Sequence, residues 1–102
     1  MEKSFNQKCY DILRQVPEGY VTTYRDIAHK LNCRAYRAVG NVMNKNPEIY
    51  GRTPCHRVVN SDGRVGGFRD DTKVKIDMLT SEGIEIENNK IKNLKEVLFD
   101  FE

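Results

Sequence analysis

Apolar residues recur at helical spacing through the first half of the chain and lose that spacing in the middle. Phe5, Cys9, Ile12, Leu13 and Val16 fall on one stripe behind a capping box made by Ser4 and Gln7, which predicts a first helix with Cys9 in its packed face. Pro17-Glu18-Gly19 ends that helix, and Val21-Thr22 reads as a short extended piece. Thr23 can cap a second helix over about residues 24–31, with Ile27, Ala28 and Leu31 facing inward. After a tight break at Asn32-Cys33, a third helix is predicted over about residues 34–44. Its buried side would be Ala35, Ala38, Val39, Val42 and Met43, with Gly40 allowing close approach to a neighbour. Two short helices a few residues apart, the second carrying arginine outward, have the shape of a helix-turn-helix. The pattern is weak alone, because many small helical pairs share it.

From residue 46 to 68 the chain is rich in Pro, Gly and Asn and reads as loop. Within it Arg57-Val58-Val59 reads as a strand, Ser61-Asp62-Gly63 as a hairpin turn and Arg64-Val65 as the return, before Gly66-Gly67, where backbone can approach a ligand. Asp70 or Asp71 can cap a fourth helix running to about residue 82, with Val74, Ile76, Met78 and Leu79 apolar and Gly83 ending it. Ile84-Glu85-Ile86-Glu87 alternates as a strand, Asn88-Asn89-Lys90 turns, Ile91 begins a return, and Leu94, Val97, Leu98 and Phe101 suggest a last short helix. The expected fold is one small domain over residues 1–102, mainly α with short β elements, containing a winged-helix-like helix-turn-helix.

Composition narrows the class. A chain of 102 residues with a 38% hydrophobic fraction can bury a modest core, and no apolar run approaches a membrane span. The expected location is therefore the cytosol, with the nucleoid or nucleus as the place where DNA lies. Cys9, Cys33 and Cys55 have no metal-ligand spacing and read as free thiols, so no metal or other cofactor is expected. The net charge of +2 conceals a block at residues 29–69. There Lys30, Arg34, Arg37, Lys45, Arg52, Arg57, Arg64 and Arg69 face only Glu48 and Asp62. Six of those eight are arginine, whose planar fork suits phosphate, so a polyanion is the expected partner.

Inside that block lies the chemistry. Cys55 has His56 beside it, arginines at 52 and 57, and Pro54 stiffening the approach. A thiol reacts as thiolate, so it needs a neighbour that lowers its pKa or takes its proton. On a strand, adjacent side chains point to opposite faces, so a Cys55–His56 pair needs a turn there or an intervening water. Glu82 is a candidate to orient His56, although spacing alone does not place it there. From the residues alone, Cys55 is as readily structural as reactive.

The run Pro54-Cys55-His56-Arg57-Val58-Val59, with Gly63 and then Val65-Gly66, resembles the active-site signature of O6-alkylguanine-DNA alkyltransferases. Pro17 to Tyr24 with Ile27-Ala28 is similar to that family's entry into the helix-turn-helix. Arg37-Ala38-Val39-Gly40 with Met43 and Asn46-Pro47 is similar to its recognition helix, and Lys75, Leu79 and Glu82-Gly83 to the helix behind its active site. The resemblance covers about residues 5–83. It implies that Cys55 accepts an alkyl group from guanine O6 in double-stranded DNA, with His56 acting as base through a water and Glu82 holding His56. It implies that Tyr24 donates to guanine N3 and that Arg37 enters the stack where the damaged nucleotide is flipped out. Arg34, Ala38 and Lys45 join Tyr24 and Arg37 as expected DNA-contacting positions. Asn46, Pro54 and Arg57 are expected to brace the site, and Val58, Gly66, Phe68 and Arg69 to line the base pocket, with backbone atoms near Cys55, Val58 and Arg69 bonding the base. The family docks its helix-turn-helix in the minor groove, so sequence preference should be slight, and a monomer is expected.

The chain departs from the pattern in places. It begins almost at the first helix, so the N-terminal domain of many members, zinc-binding in some, is expected to be absent. Thr53 stands where isoleucine is common, Phe68 replaces a tyrosine, and Arg69-Asp70-Asp71 replaces a more glycine-rich stretch, which leaves the accepted alkyl group open. Competing readings are an alkyltransferase-like protein that binds alkylguanine without transfer, a plain helix-turn-helix regulator, and a cysteine hydrolase. The first class replaces the acceptor cysteine, and Cys55 is present here.

Overall fold

A computed structural model describes residues 4–44, 54–66 and 72–101. Helix α1 (Phe5–Leu13) starts where the Ser4 side chain accepts the Gln7 backbone N–H, and it buries Cys9, Ile12 and Leu13. Strand β1 (Thr22–Thr23) leads directly into α2 (Tyr24–Lys30), whose cap is the Thr23 hydroxyl accepting from Asp26 N–H at 3.0 Å. Asn32 takes the left-handed conformation after α2, and Cys33 N–H returns to the Ala28 carbonyl at 3.0 Å. That stop turns the chain into α3 (Tyr36–Asn44), which packs on α2 as the second helix of the helix-turn-helix.

The middle differs from its expectation. Cys55–Arg57 is one turn of 3-10 helix, and only Val58–Val59 is strand, β2. Strand β2 does not form a hairpin with residues 64–65. It runs parallel to β1, with Thr22 opposite Val58 and Thr23 opposite Val59. The Ser61-Asp62-Gly63 turn does form, closed by Asn60 N–H to the Arg64 carbonyl at 2.9 Å, but Arg64 pairs across to Lys90. Burial drives the choice. Alternation along β2 places Val58 in the core beneath α1, α2 and α3, and Val59 in a second core with Val21, Val65, Leu79, Ile84 and Ile91. A hairpin partner over residues 64–65 would bring Val65 to the second core alone and leave the first unfilled.

Helix α4 (Thr72–Ser81) buries Leu79 and, unexpectedly, Lys75, while Val74, Ile76 and Met78 are only half-buried. The expected cap at Asp70 or Asp71 lies outside the described residues. Strands β3 (Ile86–Glu87) and β4 (Lys90–Ile91) form the predicted hairpin over Asn88 and Asn89, both left-handed. A single turn, α5 (Leu94–Val97), ends the regular structure. Ala35, expected inward, is exposed, because α3 begins one residue later than its position. The fold is thus small and mainly helical with short strands, and no helix among the described residues is long and apolar enough to cross a membrane.

Candidate active site

Three segments distant in sequence meet at Cys55: the 3-10 turn that carries it, the end of α3, and α4. The turn resolves the strand problem, since Cys55 and His56 need not point to opposite faces when the backbone coils between them. Both side chains are buried, as is Pro54 at the start of the turn. The Cys55 thiol lies 3.7 Å from the Met43 sulfur.

His56 and Glu82 are brought together, Nε2 to Oε2 at 2.9 Å. Burial pushes the Glu82 carboxyl upward, but hydrogen bonds from Arg57 and His56 outweigh it and hold the group below the usual carboxylate range. Burial also lowers His56, against the opposing pull of Glu82, with Arg57 and Lys75 lowering it further. A neutral imidazole beside a carboxylate must donate from Nε2, since the carboxylate only accepts. Its free lone pair is then on Nδ1, which is buried without a hydrogen-bond partner among the described residues. The ring is therefore poised to accept a proton at Nδ1.

Arg57 does more than brace. Its Nε and Nη2 reach both Glu82 oxygens at 2.9 and 2.6 Å, and its Nη1 donates to the Val16 carbonyl at 2.8 Å. This forked clasp fixes the carboxylate that fixes the histidine. Lys75 was the residue that its type concealed. It is fully buried, burial lowers it to about 8, and its ammonium interacts electrostatically with Cys55 and His56. Two signals existed: Lys75 stands four residues before Leu79, on the same face of the helix, and it belongs to the run that resembles the family's helix behind the active site.

Tyr24 packs its ring against Gly40 of α3 and lies close enough to Cys55 to sense its charge. Burial first, then that charge, keeps the phenol protonated well above neutrality. An open groove of about 570 Å³ is lined by Tyr24, Arg37, Gly40 and Asn41 from the helix-turn-helix and by Asn60, Ser61 and Asp62 from the turn after β2. Arg34 is exposed just before α3, and Ala38 is half-buried. The Val58 side chain is committed to the core, so only its backbone remains to meet a ligand. Gly66, at φ +78°, lies against the Asn60 side chain, and a Cβ there would come within 3.4 Å of it. Lys45, Asn46, Phe68 and Arg69 lie outside the described residues.

Residues 4–84 match the family model for the DNA-binding domain of 6-O-methylguanine DNA methyltransferase. The chain is 41% identical over 87 residues to the DNA base-flipping protein of Escherichia coli, covering 83% of this chain and 66% of that one. It is 38% identical over 88 residues to the methylated-DNA–protein-cysteine methyltransferase of Candida glabrata, covering 85% of this chain and 42% of that one. The crystal structure of S. pombe Atl1 with damaged DNA containing O6-carboxymethylguanine superposes with a TM-score of 0.83 at 32% identity, over 98% of this chain and 99% of that one. The chain spans less than two thirds of either curated relative. With the matched segment running from α1 through the helix-turn-helix, the cysteine turn and α4, the chain belongs to the O6-methylguanine DNA methyltransferase family of DNA-repair proteins, through its DNA-binding domain.

Proposed function

We propose that this protein repairs O6-alkylguanine in duplex DNA by transferring the alkyl group irreversibly to Cys55. The observation that carries this reading is the neutral His56, held through Nε2 by Glu82 and left at Nδ1 without a hydrogen-bond partner among the described residues, next in sequence to the buried Cys55. In the reaction, His56 Nδ1 takes the Cys55 proton through a bridging water. The thiolate attacks the carbon on O6, the carbon–sulfur bond forms and the carbon–oxygen bond breaks. The guanine leaves with the electron pair and takes a proton from the Tyr24 hydroxyl at N3. Lys75 adds positive charge near the developing thiolate.

Delivery of the base falls to α3. Arg37 replaces the flipped nucleotide in the stack, while Arg34, Ala38 and Lys45 contact the backbone in the minor groove. Asn46, Pro54 and Arg57 brace the site. Backbone at Val58 and Arg69, with Gly66 and Phe68, surrounds the base. The thioether has no route back, so each molecule acts once.

The test is intact mass after incubation with excess duplex carrying one O6-methylguanine, with Cys55→Ala alongside. A gain of one methylene on Cys55 and restored guanine are expected. The whole-length similarity to the S. pombe Atl1 structure favours a second reading, lesion binding without transfer. Tight lesion binding with unchanged mass would establish that reading in place of the first.

A further inference from the structure

The groove beside the active site contains an aromatic side chain that the transfer chemistry does not use. Tyr36 opens α3, and 39% of it is exposed. It is nevertheless held. Its hydroxyl lies 2.9 Å from His29 Nε2, and the two rings meet edge to face at 5.6 Å between centroids. His29 sits in the last turn of α2, so the pair ties the two helices together across their turn. Tyr36 lines the same groove as Tyr24, Arg25, Arg37, Gly40 and Asn41. Gly40, without a side chain, stands one helical turn after it, and Arg25 and Arg37 line the groove with the exposed ring. A pre-oriented aromatic face flanked by guanidinium groups suits a polyanion that also offers apolar sugar and base edges.

We infer that Tyr36, oriented by His29, is a further DNA-contacting side chain beside Arg37, its ring packing against the sugar and base edges of the duplex in this groove. The inference rests on the proposed reading of the protein as a binder of O6-alkylguanine DNA. Tyr36 is the binding residue, and His29 is a positioning residue. Because the hydrogen bond already fixes the ring, little rotamer freedom is lost on binding. The contact is apolar and displaces no counterion. Removing it should weaken binding without changing the salt dependence, whereas removing an arginine at a phosphate lowers the slope by about one.

Binding of the wild-type chain to duplexes with and without O6-methylguanine is measured first, across a salt series. Tyr36→Ala is expected to weaken lesion binding about tenfold, as for loss of one stacked ring, at unchanged salt slope. Tyr36→Trp is expected to stay within about threefold of the wild type. His29→Ala and Tyr36→Phe remove the same hydrogen bond, so each should weaken binding about twofold to threefold and the double variant no more than either. Thermal unfolding checks that each variant folds. Tyr36→Ala folded and within about twofold of wild-type affinity would overturn the inference, as would a reduced salt slope or fully additive His29 and Tyr36 effects. A wild-type chain without lesion preference would instead overturn the functional reading beneath it.

Discussion

At the scale of single residues, the site depends on one carboxylate serving two donors. Glu82 accepts from His56 and from both arms of the Arg57 fork. Glu82→Gln keeps the shape but removes the charge that pairs with Arg57, and its amide group presents a donor toward groups that need an acceptor. Breaking a mostly buried charged set of this kind should cost about 2–4 kcal/mol, measured by denaturant unfolding. Under the proposed transfer mechanism, the alkylation rate should fall by tenfold or more, because the His56 tautomer is no longer fixed. A Glu82→Gln chain alkylated at the wild-type rate would remove Glu82 from the relay. Lys75 carries the opposite balance. Its buried ammonium costs desolvation, so Lys75→Met should be neutral to about 3 kcal/mol more stable at pH 7 while alkylating more slowly. Stability that falls in that variant would mean that its polar contacts outweigh its burial.

At the scale of elements, the helix-turn-helix contains two positions where backbone preference and packing can be weighed separately. Thr23 ends β1 and caps α2 with its hydroxyl, so Thr23→Ala should cost about 1 kcal/mol. Gly40 lies mid-helix in α3, and a Cβ there would meet the Tyr24 ring at 4.0 Å, ordinary van der Waals contact. Gly40→Ala should therefore stabilise by about 0.5–1 kcal/mol, since the helix gains propensity without a clash. Chemical denaturation of both variants checks the two signs. Destabilisation by Gly40→Ala would mean that Tyr24 and α3 sit closer than 4.0 Å permits.

For the whole molecule, the buried ionisable groups set how stability varies with pH. His56 is lowered from 6.5, so below that value the unfolded chain binds a proton that the native chain resists, and stability falls as pH drops. Glu82 is lowered from 4.5 and deepens the fall below that point. Lys75 acts at the alkaline end. The unfolded chain keeps its proton to 10.5 while the native chain sheds it near 8, so stability rises with pH above about 8. Cys9 opposes this from 9.0, because burial pushes its thiol to about 11 and the unfolded chain ionises first. Melting temperature should thus climb from acid to about pH 6.5, hold to about pH 8, climb again to about pH 9 and then level or fall. Lys75→Met should abolish the climb between pH 8 and 9, and a climb that persisted there would assign it to another group.

The sequence by itself determined the helices and the family to which the chain belongs. Caps at Ser4 and Thr23, the apolar stripe through Cys9 and Ile12, and the stop at Asn32 all act within one or two turns of chain, so local periodicity reports them. The Pro54-to-Val59 run likewise carried the family resemblance, which is what implies a reactive Cys55. Only the tertiary structure decided which distant groups meet. Pairing of Thr22 with Val58, contact of His56 with Glu82 at a separation of 26 residues, the Arg57 clasp and the burial of Lys75 depend on how two cores fill. Local propensity says where a chain coils or extends. It does not say which strand fills the gap beside it, and a charged side chain reads as solvent-facing until packing buries it.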